Sequence, residues 1–285
     1  MSIYFALQAA FFFACSHVLI RRGLVSSNAI TGSLISLTST ALISWILVLC
    51  FVPLKSFLTH AVWYFLVAGM FAPGLGRTLT YVGIERIGVA RAVPIANSSP
   101  LFASILAVFL VGEHWSLQNV FGTCLVICGV VILSRSHAEK KGARLSDFLL
   151  PIAGALAFAI SSNLRKLGLQ VENIPLMAAA VTATTAVPFA ALLLSFQGGS
   201  SAFQLSKTSF RWFLAAGLCN SSATISVFYA LSYGKVVIVE PLVSTNPVLS
   251  ILLTAIFLRD LEAISRRVVL GGLCTVGGTI LILTL

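Results

Sequence analysis

The sequence predicts an all-α integral membrane protein, with ten transmembrane helices forming two inverted five-helix repeats around a central cavity. Three observations predict it. Of 285 residues, 58% are hydrophobic and only 9% are charged, whereas a soluble domain carries about a quarter charged residues. Apolar runs recur near the roughly 20 residues that cross a hydrocarbon core. The chain also repeats itself, at offsets between 145 and 149 residues. This composition excludes soluble enzymes and nucleic-acid readers. The formal net charge of +10, from Lys+Arg 18 against Asp+Glu 8, comes from residues scattered singly or in pairs between apolar stretches. They read as membrane-flank anchors, and no nucleic-acid partner is expected.

Breaks rich in charge, Gly, Pro or Ser delimit the helices in order. The first, over 2–20, follows a start without the basic residues of a cleaved signal peptide, so it reads as a retained anchor, closed by Arg21 and Arg22. The second (29–53) stops before Lys55, and the third (61–84) before Glu85 and Arg86. The fourth (88–111) contains Pro94 and Pro100 and ends at Gly112-Glu113, and the fifth (117–134) is glycine-spaced. The longest polar break, Ser134 to Ser146 with Arg135, Lys140, Lys141 and Arg144, reads as a linker over 136–146 between halves at 1–135 and 147–285. The sixth to eighth helices follow at 147–166, 174–196 and 209–233; the ninth (236–258) contains Pro241 and Pro247, and the tenth covers 266–284. The ten-residue alternation of barrel strands is absent, so the spanning elements are helices that satisfy their own backbone groups. Six cysteines lie inside apolar runs without CxxC spacing or neighbouring His and acid ligands. They read as small packing residues, and no disulfide, metal or cofactor is expected.

The halves align with each other. The stretch Phe13 to Leu24 matches Phe158 to Leu169, Phe65 to Met70 matches Phe213 to Leu218, and Pro94 with Pro100 matches Pro241 with Pro247. Gly122 and Gly129 match Gly271 and Gly278. This is an internal duplication. With an odd number of crossings per copy, the second copy enters the membrane inverted, which is the architecture of alternating-access carriers.

The residues Tyr81-Val-Gly-Ile-Glu-Arg-Ile-Gly-Val-Ala-Arg-Ala-Val-Pro94, then Ser99-Pro100-Leu-Phe, Val111-Gly112-Glu113-His114 and the glycine-spaced helix after them, resemble the EamA repeat of the drug/metabolite transporter superfamily. A weaker copy follows in the second half, where Arg259-Asp260 replaces Gly-Glu. The resemblance covers essentially the whole chain. It implies a ten-helix basket around a central cavity and a secondary carrier, often an exporter of amino acids or other small metabolites. Carriers of sugars, nucleotide sugars, phosphorylated sugars and lipid-linked intermediates belong to the same superfamily, so the cargo stays open.

Polar groups at membrane depth are costly unless they face partners or a wet cavity, so function is sought among them. Arg77 lies well inside the third helix, on one face with Pro73 and Tyr81, and can hold a carboxylate or phosphate through its planar fork. An internal ion pair is the alternative. By this segmentation Arg77 is the only deep cation. Glu240 precedes Pro241 and shares a face with Ser244 and Pro247; it can neutralise an amine or exchange a proton, or pair permanently with Arg77 or Lys235. Pro94, Pro100, Pro241 and Pro247 remove backbone donors and let helices four and nine bend. At those bends cluster Asn97, Ser98 and Ser99, and Ser244, Thr245 and Asn246, able to present hydrogen bonds to a solute or to a neighbouring helix. Helices one, six and eight add His17, Ser162, Asn163 and Asn220. His17 is a candidate for proton coupling or a packing residue. Arg21 and Lys166, matched by the repeat, read as anchors that end their helices. The helix-five and helix-ten glycines allow close backbone approach, for internal packing or a homodimer contact.

The resulting expectation is a multi-pass carrier in a bacterial inner membrane, with no catalytic residues. It would move a small polar metabolite, an amino acid or relative by export, through alternating access, with protons as the candidate coupling ion. The rivals are a carrier of sugar-, nucleotide-sugar- or lipid-linked cargo, and, from another class, a membrane enzyme or non-transporting sensor. Neither Gly-x-Ser-x-Gly nor His-Glu-x-x-His occurs. Thirteen Lys and Arg fall on the side opposite the termini and four on the other. The positive-inside rule then puts both termini outside the cytoplasm, while the resemblance implies that they lie inside.

Overall fold

A computed structural model describes residues 1–52, 59–111, 117–134, 145–196, 203–257 and 266–283. Among these the regular structure is helical throughout. In chain order the helices are α1 (Ser2–Gly23), α2 (Ala29–Phe51), α3 (Ala61–Gly69), α4 (Gly76–Ile87), α5 (Val89–Ala96), α6 (Ser99–Val111) and α7 (Leu117–Ser134), then α8 (Leu145–Val171), α9 (Pro175–Phe196), α10 (Lys207–Tyr233), α11 (Val236–Val243), α12 (Asn246–Phe257) and α13 (Arg266–Leu283). Five of them, α1, α2, α8, α9 and α10, are long and apolar enough to cross a membrane.

The ends follow local chemistry. Asn28 starts α2 by accepting the Thr31 amide at 2.9 Å, and Ser206 starts α10 through a reciprocal capping box with Ser209. Gly88 separates α4 from α5 at φ 84°, a conformation that costs glycine nothing. One end of the bundle is tied by the Arg86–Asp147 ion pair at 2.7 Å, by Ser26 with Ser206, and by the Arg22 guanidinium donating to the Phe257 carbonyl. At the other, Ser2 Oγ donates to the Ala230 carbonyl and Lys166 Nζ to those of Leu231 and Gly234.

Three predicted helices are discontinuous. The third, expected unbroken over 61–84, passes through a wide segment, Met70–Leu75, in which Ala72 is extended (φ −151°, ψ 127°). Pro73 is the reason, because its ring removes a donor and clashes with the carbonyl four residues back. The fourth breaks at Asn97–Ser98 and the ninth at Ser244–Thr245, where the prolines predicted bends. The sixth, expected to end at 166, continues to Val171. Lys166 therefore sits within α8, and closes the end of α10 instead of its own helix. The expected linker over 136–146 is described only at Leu145 and Ser146, which open α8. The calls on Lys55, Gly112-Glu113, Arg135, Lys140, Lys141, Arg144 and Arg259-Asp260 lie outside the described residues.

The two parts of the chain interleave. Helix α1 packs on α10 as α8 packs on α3 and α4, α1 lies against α12 as α8 lies against α6, and α2 meets α9. Helices α7 and α13 pair at one flank. There a Cβ at Gly129 would stand 2.8 Å from the Gly271 carbonyl oxygen and 2.7 Å from the Thr275 nitrogen. The close approach that the glycines predicted is internal packing at this position.

Candidate functional site

The three helix breaks converge on a central cavity. Arg77 and Tyr81 reach it from α4, His17 from α1, Asn97 from the end of α5, Arg165 from α8, Asn220 from α10, Glu240 from α11, Ser244 from the second break and Asn246 from α12. The cavity has about 80 Å³ of space for water, room for a few molecules.

Arg77 is 5% exposed, and among the described residues its guanidinium finds one hydrogen-bond acceptor, Thr40 Oγ1, at 3.4 Å. No carboxylate pairs with it there, so the internal ion pair that the sequence left as the alternative is not present among the described residues. Glu240 instead accepts a short hydrogen bond from Ser162 Oγ. A buried guanidinium with one long neutral contact keeps most of its five donors for another group.

Tyr81 and Asn220 are tied together. The Asn220 amide donates to Tyr81 Oη and to Ser36 Oγ, both at 2.9 Å, and the two hydroxyls lie 3.4 Å apart, so the triangle joins α2, α4 and α10. Asn97 and Asn246 are tied as well. Asn97 Nδ2 donates to Asn246 Oδ1 at 3.0 Å, and Asn246 Nδ2 donates back to Asn97 Oδ1 at 2.6 Å. The second proton of each goes to its own chain, on Val93 and Val243 carbonyls. Both amino groups are spent, and the pair clamps the junction after α5 to the start of α12.

Two expected ligands are absent from the described cavity lining. Ser98 is buried and donates to the Ile95 carbonyl, and Asn163 donates to the Ala159 and Ala103 carbonyls, bridging α8 to α6. His17 does line the cavity, and its Nδ1 has no hydrogen-bond partner among the described residues. Pro100 is buried at the start of α6, whereas the side chains of Pro94, Pro241 and Pro247 lie outside the described set.

The largest correction concerns Arg165. The count of Lys and Arg by side takes Arg165, at the end of the predicted 147–166 helix, as a flank residue and leaves Arg77 as the only deep cation, yet Arg165 is 8% exposed, inside α8, and lines the same cavity. Its guanidinium donates to the Ala72 carbonyl at 2.5 Å and lies 5.1 Å from the Phe228 ring centroid. Ser161 Oγ donates to the same carbonyl at 2.8 Å. The carbonyl that the break at Ala72 frees from the helix ladder thus has two donors. A signal existed: the repeat matches Arg165 with Ile20, inside the first predicted helix. Arg91, near the start of the predicted 88–111 helix and counted as a flank charge in the tally by side, lies buried on α5.

Comparison with known proteins identifies the family. The family model described as "EamA-like transporter family" matches residues 1–135 and 145–284, so the chain belongs to that family. It is 33% identical, over 119 residues, to the S-adenosylmethionine uptake transporter of Rickettsia bellii; the match covers 41% of this chain and 40% of that protein. It is 36% identical, over 69 residues, to the probable 4-amino-4-deoxy-L-arabinose-phosphoundecaprenol flippase subunit ArnE of Pseudomonas fluorescens, covering 24% of this chain and 60% of that one. Both matches span less than two thirds of the relative's length. A solved crystal structure superposes with a TM-score of 0.72 at 17% identity, over 98% of this chain and 95% of the other. At that identity the likeness speaks to fold alone.

Proposed function

We propose that the protein is a secondary carrier that moves a small polar metabolite with an anionic group across a bacterial inner membrane by alternating access. The observation that carries the proposal is Arg77, a buried guanidinium facing the central cavity with one long hydrogen bond to Thr40. A buried cation of this kind is expensive to maintain, and a carboxylate or phosphate docking on its fork offsets that cost. In this reading the chain crosses the membrane ten times as two inverted five-helix halves, 1–135 and 147–285, joined by a linker over 136–146. Glu240 neutralises an amine or carries the coupling proton. Ser244 supplies a directional hydrogen bond, while Tyr81 with Asn220 and Asn97 with Asn246 shape the wall around the cargo. Amino acids and their derivatives, moved outward, are the first cargo class to test. The relatives named for S-adenosylmethionine uptake and for a phosphoundecaprenol-linked sugar support a second reading, nucleoside- or lipid-linked cargo.

The test is uptake of a radiolabelled amino-acid panel into proteoliposomes, with and without an imposed pH gradient, beside Arg77→Ala and Glu240→Gln. Saturable uptake stimulated by the gradient and lost in both variants supports the coupled amino-acid carrier. Correctly inserted protein without uptake under any gradient rejects that cargo class and turns the search to sugar- and lipid-linked solutes.

A further inference from the structure

The geometry points to a cargo with net negative charge, selected over net-neutral analogues by Arg165 acting as a second cation. The inference rests on the reading that Arg77 holds the cargo's anionic group, and deepens it. Among the described residues, five ionisable side chains line the cavity: His17, Arg77, Tyr81, Arg165 and Glu240. Arginine is cationic throughout the working pH range. Two guanidiniums therefore face one carboxylate, and the excess is positive however Glu240 is paired.

The local contacts show where that excess lies. Glu240 accepts from Ser162, one helical turn before Arg165 on α8, so the carboxylate belongs to Arg165's side of the cavity. Arg165 commits one nitrogen to the Ala72 carbonyl and its face to Phe228, while its Nε has no hydrogen-bond partner. Arg77 has Thr40 alone among the described residues. A net-neutral zwitterion entering this site leaves one positive charge uncompensated in low dielectric, and that is costly. A solute with one further carboxylate or phosphate removes the imbalance, because both groups fit a guanidinium fork. Arg165 is thus a specificity-determining residue, carried by α8, tied to the Ala72 carbonyl at the break of the third predicted helix, and reaching the same cavity as Arg77.

Equilibrium binding to the purified full-length chain tests this with two pairs that differ in charge: the isosteres L-glutamate and L-glutamine, radiolabelled, and glycerol 3-phosphate against glycerol. The first pair probes a carboxylate and the second a phosphate. The expected result is that the acidic member binds at least about tenfold more tightly in one pair or both. Arg165→Lys keeps that preference with weaker affinity, and Arg165→Gln brings the glutamate-to-glutamine ratio close to one, while Arg77 retains part of the preference for glycerol 3-phosphate. Equal or tighter binding of the neutral members overturns the inference, as does an undiminished preference in both pairs in Arg165→Gln. Neutral members bound in an Arg77-dependent way leave the Arg77 site standing while this inference fails. Absence of Arg77-dependent binding for all four solutes sinks both. Should Arg165→Gln lose its fold, Glu240→Gln replaces it: removing the carboxylate raises the positive excess and widens the glycerol 3-phosphate over glycerol ratio. An unchanged or narrower ratio contradicts the inference.

Discussion

Two arginines share one cavity, and their surroundings give them different work. Arg77 spends almost nothing on the protein, whereas Arg165 holds the Ala72 carbonyl and covers Phe228. Tyr81 shows the opposite condition from Arg77, since its hydroxyl accepts from Asn220 and lies beside Ser36. Removing it with Tyr81→Phe leaves a buried Asn220 proton without its partner and is expected to cost about 1 kcal/mol. Denaturation of the purified protein by detergent titration measures this. Unchanged stability with lost uptake would instead make the hydroxyl a direct cargo ligand. Sequence reasoning found Arg77, Tyr81, Asn97, Asn220, Glu240 and Asn246 because polar residues inside apolar runs stand out. It missed the commitments among them, because Asn97 and Asn246 are 149 positions apart and no periodicity encodes which amide meets which.

Among the helices, the break at Ala72 depends on its neighbours. Gly69, one residue before the wide segment, lies so close to α9 that a Cβ there would stand 2.0 Å from Thr185 Oγ1 and 2.3 Å from the Thr182 carbonyl oxygen. Gly69→Ala must push α9 away and is expected to cost roughly 1–3 kcal/mol, as overpacking does, seen as a lower melting temperature. Gly277→Ala, whose new Cβ would meet Leu125 at 3.6 Å, is the control and should melt like the parent. The Asn97–Asn246 clamp predicts coupling. In a double-mutant cycle to alanine, each single change costs about 1 kcal/mol and the pair less than the sum, by 0.5 kcal/mol or more; strict additivity would show that the amides act independently. Proline marked two of the three breaks at sequence level, in helices four and nine. Pro73 carried the same physical signal, but the apolar run around it continued to 84 and read as one helix. The length of α8 was hidden because Arg165 and Lys166 look like a flank until Ala72 and the end of α10 are seen to accept from them.

Across the bundle, the repeat in sequence becomes a repeat in packing: α1 against α10 is mirrored by α8 against α3 and α4. The family model matches residues 1–135 and 145–284. The ten crossings proposed here would put both termini on one side, so single cysteines introduced at Ser2 and Thr284 should react alike with an impermeant thiol reagent in intact cells, on a background lacking the native cysteines. Opposite labelling would refute the ten-crossing topology. The side itself was beyond sequence, because the charge bias and the family resemblance point in opposite directions.

The most direct measurement is the initial rate of counterflow exchange in proteoliposomes, comparing the native chain with Arg77→Lys and Arg77→Ala at equal protein insertion. With an anionic cargo on the Arg77 fork, Arg77→Ala loses at least about 100-fold in rate, the scale of a removed charged contact of about 3 kcal/mol. Arg77→Lys recovers part of it, because the charge remains and the fork is lost. Native exchange rates in Arg77→Ala, from correctly folded protein, would contradict the assignment of the cavity to cargo binding.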